Sequence, residues 1–373
     1  MCPKCGANYH KKFGFEWLTI FTTLGWRRRC YQKYLCKSCG HPFHRAGLIG
    51  MYTIKMIEYV SYMYLRSLSF NQVIAILGAY YEQDVFTKDR LIHHIEQLAD
   101  RIPTNAQISQ WLKPKRSGYY ALDGTWLKYR GRDIVLLILF DVNTLDIVSY
   151  YVSQQETEDS YVKLIQLALP EIVHNIKGVF CDGDPGLIKA IKSYFSNTPI
   201  QLCVFHKYSR VGQIIPFVRP KTKLDKEIKE RVEQILFAET KAIAIIKLHD
   251  LEQFAKEHNG YHKLKKVIGV LKRNFDLLMT HFDHPEMSPY NNVLEGFNYI
   301  IKRRTKLMKG FKKPINIGRW LKLIMLDWRF HTLKESQFNA RNNSSPLQLA
   351  GVELPKIYNW LTYIRDNFPE ITT

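Results

Sequence analysis

The sequence has no long apolar run. Its longest, Ile134 to Phe140, falls far short of the roughly 20 residues that span a bilayer, which argues against a membrane-spanning helix. No charged-then-apolar leader precedes the opening Met-Cys-Pro-Lys-Cys-Gly, so the chain is expected to be soluble and cytoplasmic, or nucleoid-associated in a prokaryote. Internal repeats and low-complexity tracts are missing as well. Acids are scarce where bases gather. Residues 1 to 47 hold nine Lys or Arg and the single acid Glu16, and residues 302 to 313 hold seven and none. Over the whole chain 54 Lys and Arg face 34 Asp and Glu, a formal net charge of +20. Such an excess suits a polyanionic partner, because each phosphate contact releases condensed counterions. A basic protein without such a partner is the other reading of the total, and the clustering favours the first.

What is present begins with a hydrophobic content of 46% over 373 residues, enough for a substantial core and accessory modules. Seven cysteines are an odd number, and four fall in two pairs. Without a secretory signal, metal ligation in a reducing compartment explains them better than disulfides. Cys2/Cys5 and Cys36/Cys39 each have C-x-x-C spacing followed by glycine. The spacing sets two thiolates on one tight turn, and the glycine supplies the positive φ that lets backbone N–H groups approach sulfur. Two such knuckles predict a small zinc ribbon over residues 1–47 with one structural Zn²⁺. Cys30, His41 and His44 could substitute as ligands but lack the knuckle context.

Residues 48–102 read as three helices, with N-caps near Ser69 and Thr87. A turn before the last of them suggests a helix-turn-helix-like DNA-binding region. Five Lys or Arg against six acids in this segment leave a helical linker or dimerisation bundle equally open. Residues 103–118, rich in Pro, Ser, Thr and Gly, read as a linker. The periodicity then changes. Three β-rich runs, a helix over "DSYVKLIQLALPEI", a buried strand "IKGVFCD", a helix "GLIKAIKSYF" and a strand "IQLCVFH" give the order βββαβαβ over 119–206. That order implies an α/β fold with a mixed sheet covered by helices. Residues 207–289 are helical and highly charged, and 290–373 add another helix and a helical tail carrying Trp320 and Trp328.

Three acids have the context of metal ligands. Phosphodiester cleavage near neutral pH is commonly carried out with two Mg²⁺ ions held by carboxylates on rigid elements. Asp123 lies inside the first strand before Gly124, where an unpaired buried charge would be costly. Asp182 ends the fourth strand, and Gly183 leaves an open side. Glu295 shares a helix face with Asn291, Asn298 and Lys302, while Val293, Phe297 and Ile301 can face inward. Singly, each has another reading: Asp-Gly is a common turn dipeptide, and most helix glutamates are solvated. The neighbouring Asp184, before Pro185, reads as a helix N-cap.

Taken together, "YALDGTWLKYRG", "FCDGDPGLIKAI", "QLCVFHKYSRV" and "LEGFNYIIKRRTKLMKGF" resemble the signature blocks of DDE transposases, most closely the insertion-sequence and Mutator-like branch, over roughly residues 117 to 330. The resemblance implies a ribonuclease-H-like catalytic core over 119–206. It places a helical insertion at 207–289 and completes the core through the Glu helix in 290–373. It assigns Asp123, Asp182 and Glu295 as catalytic ligands of two Mg²⁺ (or Mn²⁺). It matches Cys203 and His206 to a Cys/Asp-x-x-His feature on the strand after the second acid. A second metal half-site there lacks an evident partnering pair, so a packed cysteine beside a hydrogen-bonded histidine is expected.

The implied activity is DNA cleavage at the terminal inverted repeats of a mobile element and 3′-hydroxyl strand transfer to target DNA, by a homodimer or larger synaptic assembly. Arg27, Arg28 and Arg29, together with Lys302, Arg303, Arg304, Lys306, Lys309, Lys312 and Lys313, are the candidate DNA contacts. A transposase-derived DNA-binding protein without catalysis, or a nuclease on the same fold, are the competing readings.

Overall fold

Two β-rich runs meet at residues 23 and 24, and Gly25 adopts φ +84°, a conformation that carries no steric penalty without a Cβ. The computed structural model, which describes residues 2, 4–44, 48–308 and 310–368, accordingly opens with a long antiparallel ribbon. Its strands β1 (His10–Thr22) and β2 (Gly25–Cys36) pair from His10↔Cys36 to Thr22↔Gly25. Short strands β3 (Pro42–His44), β4 (Leu48–Ile49) and β5 (Tyr52–Thr53) complete a five-stranded sheet in the order β3-β2-β1-β5-β4.

The chain divides into two compact units. The first comprises Met1–Pro114, Lys128–Gly131 and Arg303–Thr373, and the second Lys115–Leu127 and Arg132–Lys302. After its sheet, the first unit has helices α1 (Ile54–Leu65), α2 (Phe70–Tyr81) and α3 (Lys88–Arg101). Thr53, Ser69 and Thr87 cap their N-termini by accepting backbone N–H bonds, which satisfies donors the first turn would orphan. Residues 48 to 53, expected in a helix, instead form the β4–β5 hairpin up to the Thr53 cap. The expected linker also holds a helix, α4 (Asn105–Leu112). Its signal was the pair Thr104 and Gln107, which close a reciprocal capping box inside a composition that otherwise reads as loop.

The second unit carries the order β6 (Tyr119–Tyr129), β7 (Arg132–Asp141), β8 (Ile147–Ser153), α5 (Glu158–Ile172), β9 (Gly178–Cys181), α6 (Pro185–Tyr194), β10 (Ile200–Leu202). Its sheet runs β10-β9-β6-β7-β8, with β9 parallel to both β6 and β10 and β8 antiparallel to β7. Val135 to Phe140 on β7 are fully buried, as a continuous apolar run predicts for a strand covered on both faces. The last strand stops earlier than "IQLCVFH" implied. Cys203 N–H donates to Cys181 O, and Val204 N–H donates to Pro289 O. There α7 (Val204–Gly212) begins, with Cys203 as its N-cap residue. The pair Cys203 and His206 therefore sits on the first turn of a helix, not on a strand.

The charged segment that follows forms α8 (Lys223–Leu236), α9 (Lys241–Glu257), α10 (His262–Lys272), α11 (Phe275–Leu278) and α12 (Thr280–Asp283). Ile228, Val232, Leu251, Leu264 and Val267 of this insertion join the same apolar cluster as Leu137, Leu164 and Leu187 of the sheet and its covering helices. Its charges pair along the outer face, as in Arg231–Glu227 and Lys226–Glu230. Helix α13 (Asn292–Leu307) then leads back to the first unit, whose last elements are α14 (Pro314–Phe330), α15 (Pro346–Leu349) and α16 (Trp360–Asn367). The tail is thus helical only in part. Trp320 on α14 is buried and Trp328 half-buried.

Candidate active site and cysteine cluster

Strand pairing alone brings the first two acids together. Strands β6 and β9 run parallel with Tyr119↔Gly178, Tyr120↔Val179 and Ala121↔Phe180 in register. Asp123 and Asp182 each lie two residues beyond the last pair, so that register sets them level on neighbouring strands, Asp123 within β6 and Asp182 just past the carboxyl end of β9. Burial and the charge of Asp182 push the Asp123 carboxyl up to about 6, with Glu295 adding to the repulsion. His206 and the Gly124 N–H pull the other way.

Hydrogen bonds orient that carboxylate. Gly124 N–H donates to Asp123 Oδ1 at 2.8 Å, and Asn298 Nδ2 donates to Asp123 Oδ2 at 2.8 Å. Asn298 is buried on α13 beside Leu294 and Phe297. Leu294, rather than the expected Val293, takes the inner position, and Val293 is half-buried. Glu295 stays exposed, and its Oε1 lies 3.4 Å from His206 Nδ1. Asp184 N–H donates to Asp182 Oδ1 at 3.0 Å. Asp184 itself accepts from Leu187 N–H and starts α6 with Pro185 in the first turn. The two neighbouring acids thus have separate local roles.

A further acid joins them. Glu156, between β8 and α5, lies so close to Gly124 that a Cβ built there would stand 2.1 Å from its Oε1. Burial pushes its carboxyl up to about 7, reinforced by Asp182, Asp123 and Asp184. Nothing in its polar loop context marked it, because the approach is made by the fold. An all-oxygen set of repelling carboxylates is the donor chemistry of a hard divalent cation, so these residues fit Mg²⁺ or Mn²⁺. Among the described residues, Asp123, Asp182 and Glu295 are not one of the groups whose ligand atoms all fall within 4.8 Å of one another. Cys203, His206 and Glu295 do form such a group.

In the first unit, Cys2, Cys5, Cys36 and Cys39 bring their sulfurs within 4.8 Å of one another. Cys2 Sγ lies 3.7 Å from Cys39 Sγ, and Cys5 Sγ 3.6 Å from Cys36 Sγ. Four sulfurs held at about 2.3 Å by zinc form a tetrahedron with edges of about 3.8 Å, so the spacing fits one such ion. Burial opposes ionisation of Cys36, yet the backbone N–H groups of Cys39 and Ser38 outweigh it and hold the thiol down at about 6. Cys30 is exposed on β2, and His44 pairs with Glu16. Both are absent from the four-sulfur group.

The candidate DNA contacts divide by exposure. Arg27, Arg28 and Arg29 are exposed on the ribbon, with Arg28 over the Trp17 ring. Lys302, Arg303, Lys306, Lys312 and Lys313 are exposed as well. Arg304 corrects the expectation. It is buried and donates to Tyr64 O at 2.7 Å, and burial brings its guanidinium down to about 10. A side chain so committed is a structural strut. Lys309 lies outside the described residues.

The HTLV-2 integrase catalytic core domain in complex with magnesium shares 14% identity over 32% of this chain and 86% of its own, with a TM-score of 0.20. The simian T-cell lymphotropic virus intasome in complex with the PP2A regulatory subunit B56 gamma shares 11% identity over 76% of this chain and 77% of its own, with a TM-score of 0.26. At such scores the strand order, not the likeness, defines the fold. The transposase for insertion sequence element IS905 of Lactococcus lactis subsp. lactis (strain IL1403) is 26% identical over 227 residues, which are 58% of this chain. The chain spans 54%, about half, of that relative's length. The family description "Transposase, Mutator family" matches residues 52–332. With the match running from the first-unit helices through the acidic site to the end of α14, the chain belongs to the Mutator family of transposases.

Proposed function

We propose that the chain is an insertion-sequence transposase that cuts DNA at the terminal inverted repeats of its element and joins the exposed 3′-hydroxyl to target DNA. The observation that carries this reading is the level placement of Asp123 and Asp182 by the β6–β9 register, with Glu295 of α13 coupled to Asp123. The second unit is then the ribonuclease-H-like core, consistent with its strand order β10-β9-β6-β7-β8, and α8–α12 its helical insertion.

Asp123, Asp182 and Glu295 would hold two Mg²⁺ or Mn²⁺ ions. Those ions would supply charge neutralisation for the attacking and leaving oxygens. The chain's own part is to hold those oxygens in line. Asn298 and the Gly124 N–H fix the Asp123 carboxylate, and the parallel strands keep it level with Asp182. In the first step a water oxygen bonds to phosphorus as the P–O3′ bond breaks. In the second, the freed 3′ oxygen bonds to a target phosphorus and displaces another 3′ oxygen. One bond forms for each that breaks, so joining needs no outside energy source.

The four-cysteine ribbon with one Zn²⁺ and the helices α1–α3 would recognise the element ends. Exposed Arg27–Arg29, Lys302, Arg303, Lys306, Lys312 and Lys313 would contact DNA backbone. Two ends must be joined together, which calls for a dimer or larger assembly on DNA.

The test is Mg²⁺-dependent nicking and strand transfer on an end-containing duplex. Asp182→Asn should abolish both, while Asp184→Asn, which keeps the capping oxygen, should cleave at close to the wild-type rate and lose only the charge–dipole attraction, about 0.3–1 kcal/mol. Robust nicking by the Asp182 variant would remove that residue from the mechanism. Cleavage without joining would identify a nuclease on this fold.

A further inference from the structure

The sequence shows no metal-binding partner for the pair Cys203 and His206, and the fold supplies one. On the first turn of α7 the two are three residues apart and face the same way. Helix α13 brings in Glu295, so that thiol, imidazole and carboxylate ligand atoms all lie within 4.8 Å of one another. Cys203 is buried at 2% exposure, His206 is half-buried and Glu295 exposed. The group is therefore closed on the sulfur side and open on the carboxylate side. His206 Nδ1 is buried without a hydrogen-bond partner, its nearest acid oxygen being Glu295 Oε1 at 3.4 Å.

We propose that Cys203, His206 and Glu295 form a binding site for a borderline divalent cation, Zn²⁺ above all, separate from the four-cysteine cluster and adjoining the carboxylate centre through Glu295. Sulfur and imidazole nitrogen discriminate against Mg²⁺, which takes oxygen ligands in octahedral geometry. One sulfur, one nitrogen and one oxygen leave a fourth tetrahedral position open, as three-ligand zinc sites do. Asp123 couples electrostatically to both His206 and Glu295, so a dication here would also offset the negative charge gathered around Asp123. Because Glu295 belongs to both sets, the zinc site and the hard-metal centre draw on one shared ligand. The inference does not require the proposed DNA chemistry.

Zinc stoichiometry on the full chain tests it. Wild type should retain two equivalents of zinc after dialysis against excess Mg²⁺. Cys203→Ser and His206→Gln should each retain one, and so should a Cys36→Ser/Cys39→Ser variant that lacks the ribbon site. Glu295→Gln should weaken the second ion roughly tenfold or more. Cobalt(II) added to chain whose ribbon is already zinc-loaded should give a thiolate-to-cobalt absorption that Cys203→Ser abolishes. Retention of two equivalents by both Cys203→Ser and His206→Gln would overturn the proposal. So would a wild-type chain whose single zinc is lost with the ribbon cysteines. Should Cys203→Ser fail to fold by circular dichroism, the zinc content of the partly exposed His206→Gln decides between one ion and two.

Discussion

Replacing Gly124 by alanine probes the contact that draws Glu156 into the acidic site. A Cβ at position 124 would stand 2.1 Å from Glu156 Oε1, 3.0 Å from its Cδ and 3.1 Å from Val135 Cγ2. The backbone itself accepts alanine, since φ at Gly124 lies outside the left-handed region. That gain, through a stiffer unfolded chain, is about 0.4–1 kcal/mol. Against it, the Glu156 carboxylate must retreat by more than about 1 Å to reach an ordinary contact, and overpacking of this kind costs about 1–3 kcal/mol. The net expectation for Gly124→Ala is a loss of about 0.5–2 kcal/mol, or roughly 2–4 °C of melting temperature per kcal/mol in a unit of this size.

The collision is isolated by a double-mutant cycle with Glu156→Ala, read by thermal unfolding of the full chain at one scan rate. In the Glu156→Ala background the 2.1 Å clash is gone and Val135 Cγ2 at 3.1 Å remains, so the added methyl should cost much less than it does in the wild-type background. The coupling energy should then reach about 1–3 kcal/mol. Strict additivity of the two substitutions would show that the two groups do not meet, and the placement of Glu156 would be wrong.

Further outcomes follow from other contacts. Arg116 is buried with Asp146 at 2.7 Å and a second partner in Glu171; Arg116→Met takes the guanidinium from two carboxylates, one of them fully buried, and should cost about 3–5 kcal/mol in thermal or urea unfolding, much of it recovered by adding Asp146→Asn. His331 is held down to about 4 by burial, then by Arg66, Arg304 and Lys334. The unfolded chain therefore takes up the proton first, so stability should be full above about pH 6.5 and fall between pH 6.5 and 4 by on the order of 2 kcal/mol after allowance for partial exposure. His331→Gln should flatten that limb of the melting-temperature profile. Chelation of zinc, or Cys36→Ser, should raise amide exchange of the β1–β2–β3 sheet while leaving the second unit's melting unchanged; an unaltered exchange pattern would count against zinc at the four cysteines.

Sequence-level legibility followed the range of each interaction. The helix starts at Ser69, Thr87 and Asp184 were readable because a cap is a bond between residues two or three apart. The box at Thr104 and Gln107 was equally local and was masked only by its loop-like surroundings. The boundary after Leu202 was harder, since an apolar run that ends a strand and one that begins a helix have the same composition. What turns the chain there is a tertiary bond, Val204 N–H to Pro289 O. The burial of Arg304 was not legible either: a run of seven bases in twelve residues reads as one charged face, and the Tyr64 carbonyl that holds Arg304 comes from a different helix.

Local bonding set the parts. Glycine-terminated cysteine pairs, a strand ending in Asp182, an Asp184 cap and the order βββαβαβ all depend on bonds spanning a few residues. Which parts meet is settled by long-range packing. The β6–β9 register makes Asp123 level with Asp182, α7 and α13 bring His206 to Glu295, and the β8–α5 connection lays Glu156 against Gly124. Each of these meetings depends on strand register and side-chain packing between residues far apart in the chain, and no single window of sequence contains both partners.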